Sequence, residues 1–598
     1  MKRLLFLSLA FAFAFLFVAC DSGNTGDFKI TLRLPIEQDD ESDDNTFSIV
    51  DSDQVMLSIY SKSSIADEYV YADRALIKVN SDKGGKQEFI RSLKKGAYYR
   101  FFVEVTNSNE KLKLTGGIDG ILYDDKNNYE VSIFLTPVGD FARVVSDRSH
   151  SDKSSLESYI SEDGSKGSAA VALKDGRIYM AGGFDLEEEE ISKKAVVFNT
   201  KEIARKDVKN LQIPLYDHIA ALLDDGSETG KVVVGLGTTE DDALNESVWV
   251  YDPKSDKYDS IPVGAQPMTK AKAITIDGDV YIVGGCTDSA ASNVVYKVSA
   301  KSGNVVSEQF ATLKQGRCNH AVADVSIVKV DENGVKTVTP RILVIGGSVD
   351  KKEGKETPVL GDNFAELVTQ GASTPMAVAD RNGGDDADLK TKGLISPAAV
   401  SILMDDREEE ETVVAVLGGY LRDGEEDNFS WIQSPSLFVF SESAINEAAE
   451  ENASEEGDGE NEGEGEGEGK KAESKKGLVY DKNGTANECS RPSAALLGSE
   501  EKNVIKYVAV NCGTKEIDRV KKNATGQVVF VLQVKRVKDS DLGIEVFSSS
   551  VKDSLMDENQ DPDSDAQILD GPVAADALGQ VFMLGGQYVY QVGSYAVP

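Results

Sequence analysis

Short apolar stretches alternate with polar turns along most of this chain, and one arrangement of them recurs. The unit has an apolar stretch, a polar turn that often contains Asp-Gly, and a second apolar stretch ending in small residues, usually Gly-Gly. The second stretch occurs at 177–184, 231–238, 280–286, 341–348, 412–420, 506–514 and 580–588. Tight turns between apolar runs favour glycine because it accepts positive φ, so each unit predicts a β-hairpin. A third strand is predicted in several units, at 195–199, 247–253, 293–298 and 436–441.

This unit resembles the kelch repeat, in which the strand ending in Gly-Gly is followed by an aromatic-rich strand. The second copy matches best, with Trp249, Tyr251, Asp252, Pro253 and Tyr258 in a family-like order. Two copies depart from the Gly-Gly pair, which is replaced by Gly235-Leu236-Gly237 in the second and by Asn511-Cys512-Gly513 in the sixth.

The resemblance implies a β-propeller of four-stranded blades over residues 139–598, since one repeat cannot bury both faces of its sheet alone. The copies predict seven blades, and a strand from Phe141 to Val145 would complete the last one. Six blades is the alternative if the weak sixth copy is an insertion.

Residues 27–138 predict a separate β-sandwich of about seven short antiparallel strands, because alternating apolar and polar runs are separated by polar turns. This segment looks like the immunoglobulin- or transthyretin-like domains of exported lipoproteins. The predicted fold class is therefore all-β, with an N-terminal β-sandwich followed by a kelch-type β-propeller.

The first residues are typical of an export signal. Lys2 and Arg3 precede an apolar run from Leu4 to Val18, which is shorter than a membrane-spanning helix requires. The run into Cys20 resembles the lipobox of bacterial lipoproteins, which implies a signal peptide over 1–19, lipid on Cys20 and a linker over 20–26. The chain would be held at the membrane of a bacterial cell envelope and face the periplasm or the exterior. A secreted protein with a coincidental cysteine is the alternative.

The chain is strongly acidic, with 64 Lys and Arg against 102 Asp and Glu among its 598 residues and a formal charge of −38. Such a charge repels phosphate backbones, which argues against nucleic-acid binding. The segment 447–476 is dominated by Glu, Gly, Ser and Ala, and we predict a disordered insertion there because it lacks apolar spacing for a core.

Four further cysteines, Cys286, Cys318, Cys489 and Cys512, form no CxxC pair. An even number in an exported chain predicts two disulfides with three possible connectivities. The repeat register favours Cys286–Cys318 and Cys489–Cys512, and four buried thiols are the alternative.

The ligand face is predicted at the starts of the first strands. Candidates there are Tyr216, His218, Arg317, His320 and Arg491, whose cations could meet a carboxylated or phosphorylated ligand. The alternative for the arginines is that they tie neighbouring blades together, and for the histidines that they are structural.

No catalytic motif is present, and three His are too few for the copper centre of a kelch-type oxidase. We therefore expect a protein- or glycan-binding module without catalysis, of unknown partner. The alternative is a sugar-processing enzyme of the mutarotase type, which needs only an acid–base pair.

We expect no cofactor. The one weak candidate is calcium, because oxygen-bearing side chains alternate at Asp557, Asn559, Asp561, Asp563 and Asp565. This run lacks the central Gly and terminal Glu of an EF-hand loop.

Overall fold

The fold is described here from a computed structural model. It describes residues 25–33, 49, 52–64, 67, 69–78, 86–124, 130–138, 141–144, 165–185, 190–201, 204–331, 335–351, 356–376, 378–380, 392–405, 410–425, 428–455, 478–489, 492–497, 505–511, 529–536, 544–549, 573–575, 579–584 and 589–593.

The N-terminal domain is a sandwich of two sheets. Its strands are β1 Thr25–Arg33, β2 Gln54–Lys62, β3 Val70–Ile77, β4 Lys86–Lys94, β5 Tyr98–Thr106, β6 Leu112–Leu122, β7 Glu130–Phe134 and β8 Thr136–Pro137. One sheet has the order β4-β1-β7 and the other β3-β2-β5-β6-β8. Alternate apolar residues of both sheets, such as Phe28, Leu57 and Val103, share one buried core. The expectation of a purely antiparallel sandwich was wrong, because β1 pairs with β7 in parallel.

Seven sheets follow, and each contains the second strand of one repeat copy. Sheet 1 consists of β11 Ala169–Ala172, β12 Ile178–Ala181, β14 Ala195–Asn199 and β15 Ala204–Asp207. Sheet 2 consists of β16 Ile219–Leu223, β17 Lys231–Gly235, β18 Val248–Asp252 and β19 Lys257–Ile261. Sheet 3 consists of β20 Lys272–Ile276, β21 Asp279–Val283, β22 Val294–Lys301 and β23 Asn304–Thr312. Sheet 4 uses β24 Ala321–Asp324, β27 Ile342–Ile345, β28 Ala365–Thr369 and β29 Ala372–Met376.

Sheets 5 to 7 complete the set. Sheet 5 has the order β30 Val378–Asp380, β35 Leu478–Cys489, β34 Asn428–Ser441, β32 Glu410–Leu417 and β31 Ala398–Asp405, with β33 Tyr420–Glu425 on β34. Sheet 6 uses β36 Ser493–Leu497, β37 Ile505–Asn511, β38 Val529–Arg536 and β39 Ile544–Ser549, and sheet 7 uses β40 Val573–Ala575, β41 Val581–Met583, β42 Tyr590–Val592 and β9 Phe141–Arg143. Two further two-stranded antiparallel sheets are present: β10 Ser165–Lys166 pairs with β13 Phe184–Asp185, and β25 Ile327–Val330 pairs with β26 Lys336–Thr339.

The first strands of these sheets contact one another in order, and β40 of sheet 7 also contacts β11 of sheet 1. The seven sheets therefore form a closed ring. The strand predicted from Phe141 pairs with β42, so a segment preceding the first repeat completes the last sheet. The weak sixth copy forms a four-stranded sheet of its own. The all-β fold class, a sandwich followed by a propeller, is confirmed.

The sandwich packs on sheets 7 and 1 at the end where second strands begin and third strands end. Gly593, just after β42, donates its N–H to the carbonyl of Pro137 at 3.4 Å, and Gln580 donates its side-chain amide to the carbonyl of Gly117 at 3.2 Å. Phe134 of the sandwich is buried with Ile178, of sheet 1, and other apolar residues of sheets 1 and 7. We call this end of the ring the sandwich end.

A helix, α1 Glu442–Glu455, follows β34 and differs from the sequence-based expectation. Ile445 and Ala448 are buried in a core shared by sheets 4 and 5. The predicted disordered insertion therefore begins with a helix over 447–455, because apolar residues at i and i+3 face that core. Among the described residues no helix is long and apolar enough to cross a membrane.

Candidate functional site

A chain of backbone hydrogen bonds links the sheets at the end of the ring opposite the sandwich. It is formed by the residue two positions before each first strand: Gly167, Asp217, Lys270, Asn319 and Ser396. From Asp217 onward, the N–H of each residue donates to the carbonyl of the one before it, at 2.8, 3.1, 3.2 and 2.7 Å in order. All five have φ between 50° and 64°. We call these five residues the collar, and its end of the ring the collar end.

The collar places four different polar groups around one end of the ring. The side chains of Asp217, Lys270, Asn319 and Ser396 are half-buried and supply a carboxylate, an ammonium, an amide and a hydroxyl. In sequence register, Arg491 precedes β36 and Gly571 precedes β40 by two residues, but both lie outside the described residues. Sequence reasoning missed the collar residues, although their constant offset from the repeat was a usable signal.

The glycine pairs make the collar possible because the entry segment of the next sheet crosses directly over them. At the end of β21, Gly284 and Gly285 have φ of 58° and 120°. The N–H of Gly285 donates to the carbonyl of Arg317 at 2.9 Å. A Cβ on Gly284 would lie 2.3 Å from that oxygen, so a side chain does not fit. In the second copy the buried Leu236 takes the first position at a φ of 57°.

Arg317 does not face a ligand, because its side chain is fully buried and completely partnered. It forms an ion pair with Glu366 of β28, whose side chain is also fully buried. Its Nη1 donates to the carbonyls of Gly346 and Phe364, both at 3.1 Å, and Nη2 to that of Asn363 at 2.7 Å. All of these partners lie in or next to the strands of sheet 4, so the side chain ties the segment that enters this sheet to the sheet itself.

Glu366, which sequence reasoning missed, also holds the segment that enters sheet 4. Its carboxylate accepts the backbone N–H groups of Lys314 at 2.7 Å and Gln315 at 3.1 Å, and the hydroxyl of Ser373. No sequence signal marks it, since an acid in a strand usually points to solvent.

His218 and His320 lie in the joints between sheets rather than on an open surface. His218 is 8% exposed and packs on Gly182, and His320 is 0% exposed and packs on Gly284. No ring nitrogen of either has a hydrogen-bond partner among the described residues. Burial lowers the pKa of His218 to about 4, although Asp217 opposes this, and burial lowers the pKa of His320 well below 6.5, assisted by the nearby Arg317.

Among the predicted ligand-face residues that the structure describes, Tyr216 is half-buried rather than buried, and it directly precedes collar residue Asp217. Its half-buried ring meets Phe184 edge-on, with ring centroids 6.0 Å apart. Its backbone forms an isolated bridge with Thr238, which follows the glycine of the second copy.

The predicted bond between Cys286 and Cys318 is present. The two Cα atoms are 5.2 Å apart, and both side chains are fully buried. Cys286 follows the glycine pair of sheet 3 and Cys318 precedes collar residue Asn319, so the bond joins sheets 3 and 4.

Several predicted positions lie outside the described residues: Cys20, Cys512, the calcium candidates Asp557 to Asp565, and the side chain of Cys489 at the end of β35. In the described ranges no group of three or more His, Cys, Asp or Glu could hold a metal ion.

The comparisons with known proteins place the chain only loosely. No family model matches it, and no curated protein matches its sequence. A solved structure titled "Structure of YjhT" is similar with 10% identity and a TM-score of 0.32, over 57% of this chain and 94% of that one. The fold assignment rests on the strands and sheets described above.

Proposed function

We propose that this chain is an exported lipoprotein, tethered through lipid on Cys20, whose kelch-type propeller binds a protein or a glycan at the collar end. We interpret the seven sheets as its seven blades. The main support for binding at the collar end is that the sandwich packs on the opposite end of the ring. Because β1 begins shortly after Cys20, the tether joins the sandwich, and the collar end faces away from the membrane.

The collar supports recognition because its positions are held by backbone hydrogen bonds while its side chains vary. Asp217, Lys270, Asn319 and Ser396 differ in chemistry although their backbones are equivalent. A rigid frame with a few polar groups gives specificity with little ordering cost on binding.

The test uses the mature chain without lipid in a pull-down from its own cell envelope and on a glycan array. A variant with Lys270→Gly and Asn319→Gly removes two collar side chains, and glycine accepts their positive φ. The control is Lys257→Ala with Asn304→Ala, which removes the same two side-chain types at the sandwich end, where β19 and β23 begin.

We expect the collar variant to lose binding and the control to keep it. Equal binding by both would contradict recognition at the collar end. A sugar-anomer interconversion assay on the same samples tests the mutarotase-type alternative, and turnover that the collar variant abolishes would replace the binding proposal with that one.

A further inference from the structure

Two aromatic rings and a carboxylate meet beside the collar, where sheets 1 and 2 join. Phe184 follows the glycine pair of sheet 1, and Tyr216 and Asp217 precede the first strand of sheet 2. The rings of Phe184 and Tyr216 are inclined at 64°, and all three side chains are half-buried. We call these three residues the aromatic–acid site.

Gly167 contacts both Tyr216 and Asp217 of the aromatic–acid site. The N–H of Asp217 donates to its carbonyl at 2.8 Å. A Cβ on Gly167 would lie 2.7 Å from Oδ1 of Asp217 and 3.3 Å from Cδ2 of Tyr216, so carboxylate and ring both lean over this glycine. The ring and the acid are thus fixed next to each other.

Acidic residues flank the site on two sides, and the backbones of two lysines also adjoin it: Lys166 pairs with Phe184, and Lys270 donates its N–H to the carbonyl of Asp217. On the Phe184 side, the carbonyl of the exposed Glu190 accepts the N–H of Asp185 at 2.8 Å. On the other side, Thr238 bridges Tyr216 and is followed by the exposed acids of a short turn, Glu240–Asp242. Among the described residues, no ion pair involves Glu190 or any acid of that turn.

We infer that the aromatic–acid site receives a lysine or arginine side chain of a partner protein. A cation is attracted by the faces of aromatic rings and forms its strongest hydrogen bonds with carboxylates. The flanking acids raise the local concentration of such a cation. Arg317, one of the two arginines predicted to meet an anionic ligand, is buried in its own ion pair. This inference rests on the proposed binding function and names the chemistry of the partner.

The probe is a short acetylated, amidated peptide with one lysine and one arginine among glycines, compared with the same peptide carrying glutamine at both positions. Binding to the full mature chain is measured by calorimetry at physiological salt. We expect only the cationic peptide to bind. Asp217→Asn and Tyr216→Leu should each weaken it by about five- to tenfold, the range for losing a charged hydrogen bond or a cation–π contact.

Matched controls separate the site from general attraction by an acidic protein. Asp207→Asn removes one negative charge from an 80% exposed acid on β15, and Tyr71→Leu removes an exposed tyrosine of the sandwich. Both variants should bind the cationic peptide with an affinity within about twofold of the wild type, as expected for distant surface changes. Equal losses in Asp207→Asn and Asp217→Asn would overturn the inference, as would binding of the glutamine peptide.

The experiments distinguish a failure of the cation inference from a failure of the proposed binding function. If the envelope pull-down finds a partner that needs Lys270 and Asn319 but not Tyr216 or Asp217, the binding function stands and the cation inference fails. If no protein or glycan binds the chain, the proposed function itself fails.

Discussion

The buried ion pair between Arg317 and Glu366 joins the segment entering sheet 4 to the sheet itself. Arg317→Met would leave the Glu366 carboxylate without its compensating charge. We expect a loss of about 3–5 kcal/mol in the free energy of unfolding, as for other broken buried pairs. Urea unfolding followed by circular dichroism measures this.

The control for this prediction is Arg205→Met, at an arginine in β15 that is 36% exposed, which should change stability by less than about 0.5 kcal/mol. Replacing both partners, with Glu366→Leu added to Arg317→Met, should recover part of the loss because no buried charge remains. A single-variant loss no larger than that of the control would contradict the assigned role.

The two buried histidines predict a stability that falls in mild acid. Both have a pKa below the unfolded value of about 6.5, with His218 at about 4, so in this window the unfolded chain binds more protons. Stability should therefore be full above pH 6.5 and fall by up to about 1.4 kcal/mol per pH unit for each histidine as the pH drops.

Unfolding at pH 7.5, 6.0 and 5.0 measures this dependence in the wild type and in His320→Phe. The groups facing His320 are Arg317 and Lys272, which oppose its protonation, whereas Asp217 favours protonation of His218. In His320→Phe, the free energy of unfolding should decrease less steeply as the pH falls. An unchanged slope would mean that His320 does not stay neutral in the fold.

At the scale of elements, the disulfide between Cys286 and Cys318 fastens sheet 3 to the entry of sheet 4. It closes a loop with a sequence separation of 32 residues. We expect Cys286→Ser with Cys318→Ser to cost about 2–4 kcal/mol, the usual range for a native disulfide. Guanidinium unfolding without reductant measures the difference.

Adding dithiothreitol supplies the control for this prediction. The wild type should lose stability in reductant and approach the double variant. Any further loss that reductant causes in the double variant would report a second disulfide, the predicted Cys489–Cys512. Equal stability of wild type and variant without reductant would show that the bond contributes nothing to the fold.

At the scale of the whole molecule, the proposed membrane tether is tested at Cys20. We expect Cys20→Ser to move the protein from the membrane fraction to the soluble fraction, because no lipid can be attached through sulfur. Metabolic labelling with a fatty-acid analogue and fractionation measure this. The control is Asp21→Ser, which alters the next residue without removing the thiol. Labelling of Cys20→Ser would contradict the assigned attachment site.

The sequence predicted individual strands well but not the surroundings of single side chains. The strand at 195–199 and the closing strand from Phe141 were found because alternation and turn residues act over a few positions. The position of Arg317 at a strand start left both a ligand-facing and a structural role open. Its burial depends on Glu366, which is 49 residues away and carries no local mark.

By itself, the sequence determined the hairpins and the glycine-tipped strands, and its repeat register favoured the pairing of Cys286 with Cys318. These follow from backbone φ preferences and repeat register, which are local or periodic properties. Only the tertiary structure decided which polar groups are buried, which form the collar and which lie open beside Tyr216. Those outcomes depend on how closely the entry segment of one sheet crosses the glycines of the one before it, and that contact joins residues far apart in the chain.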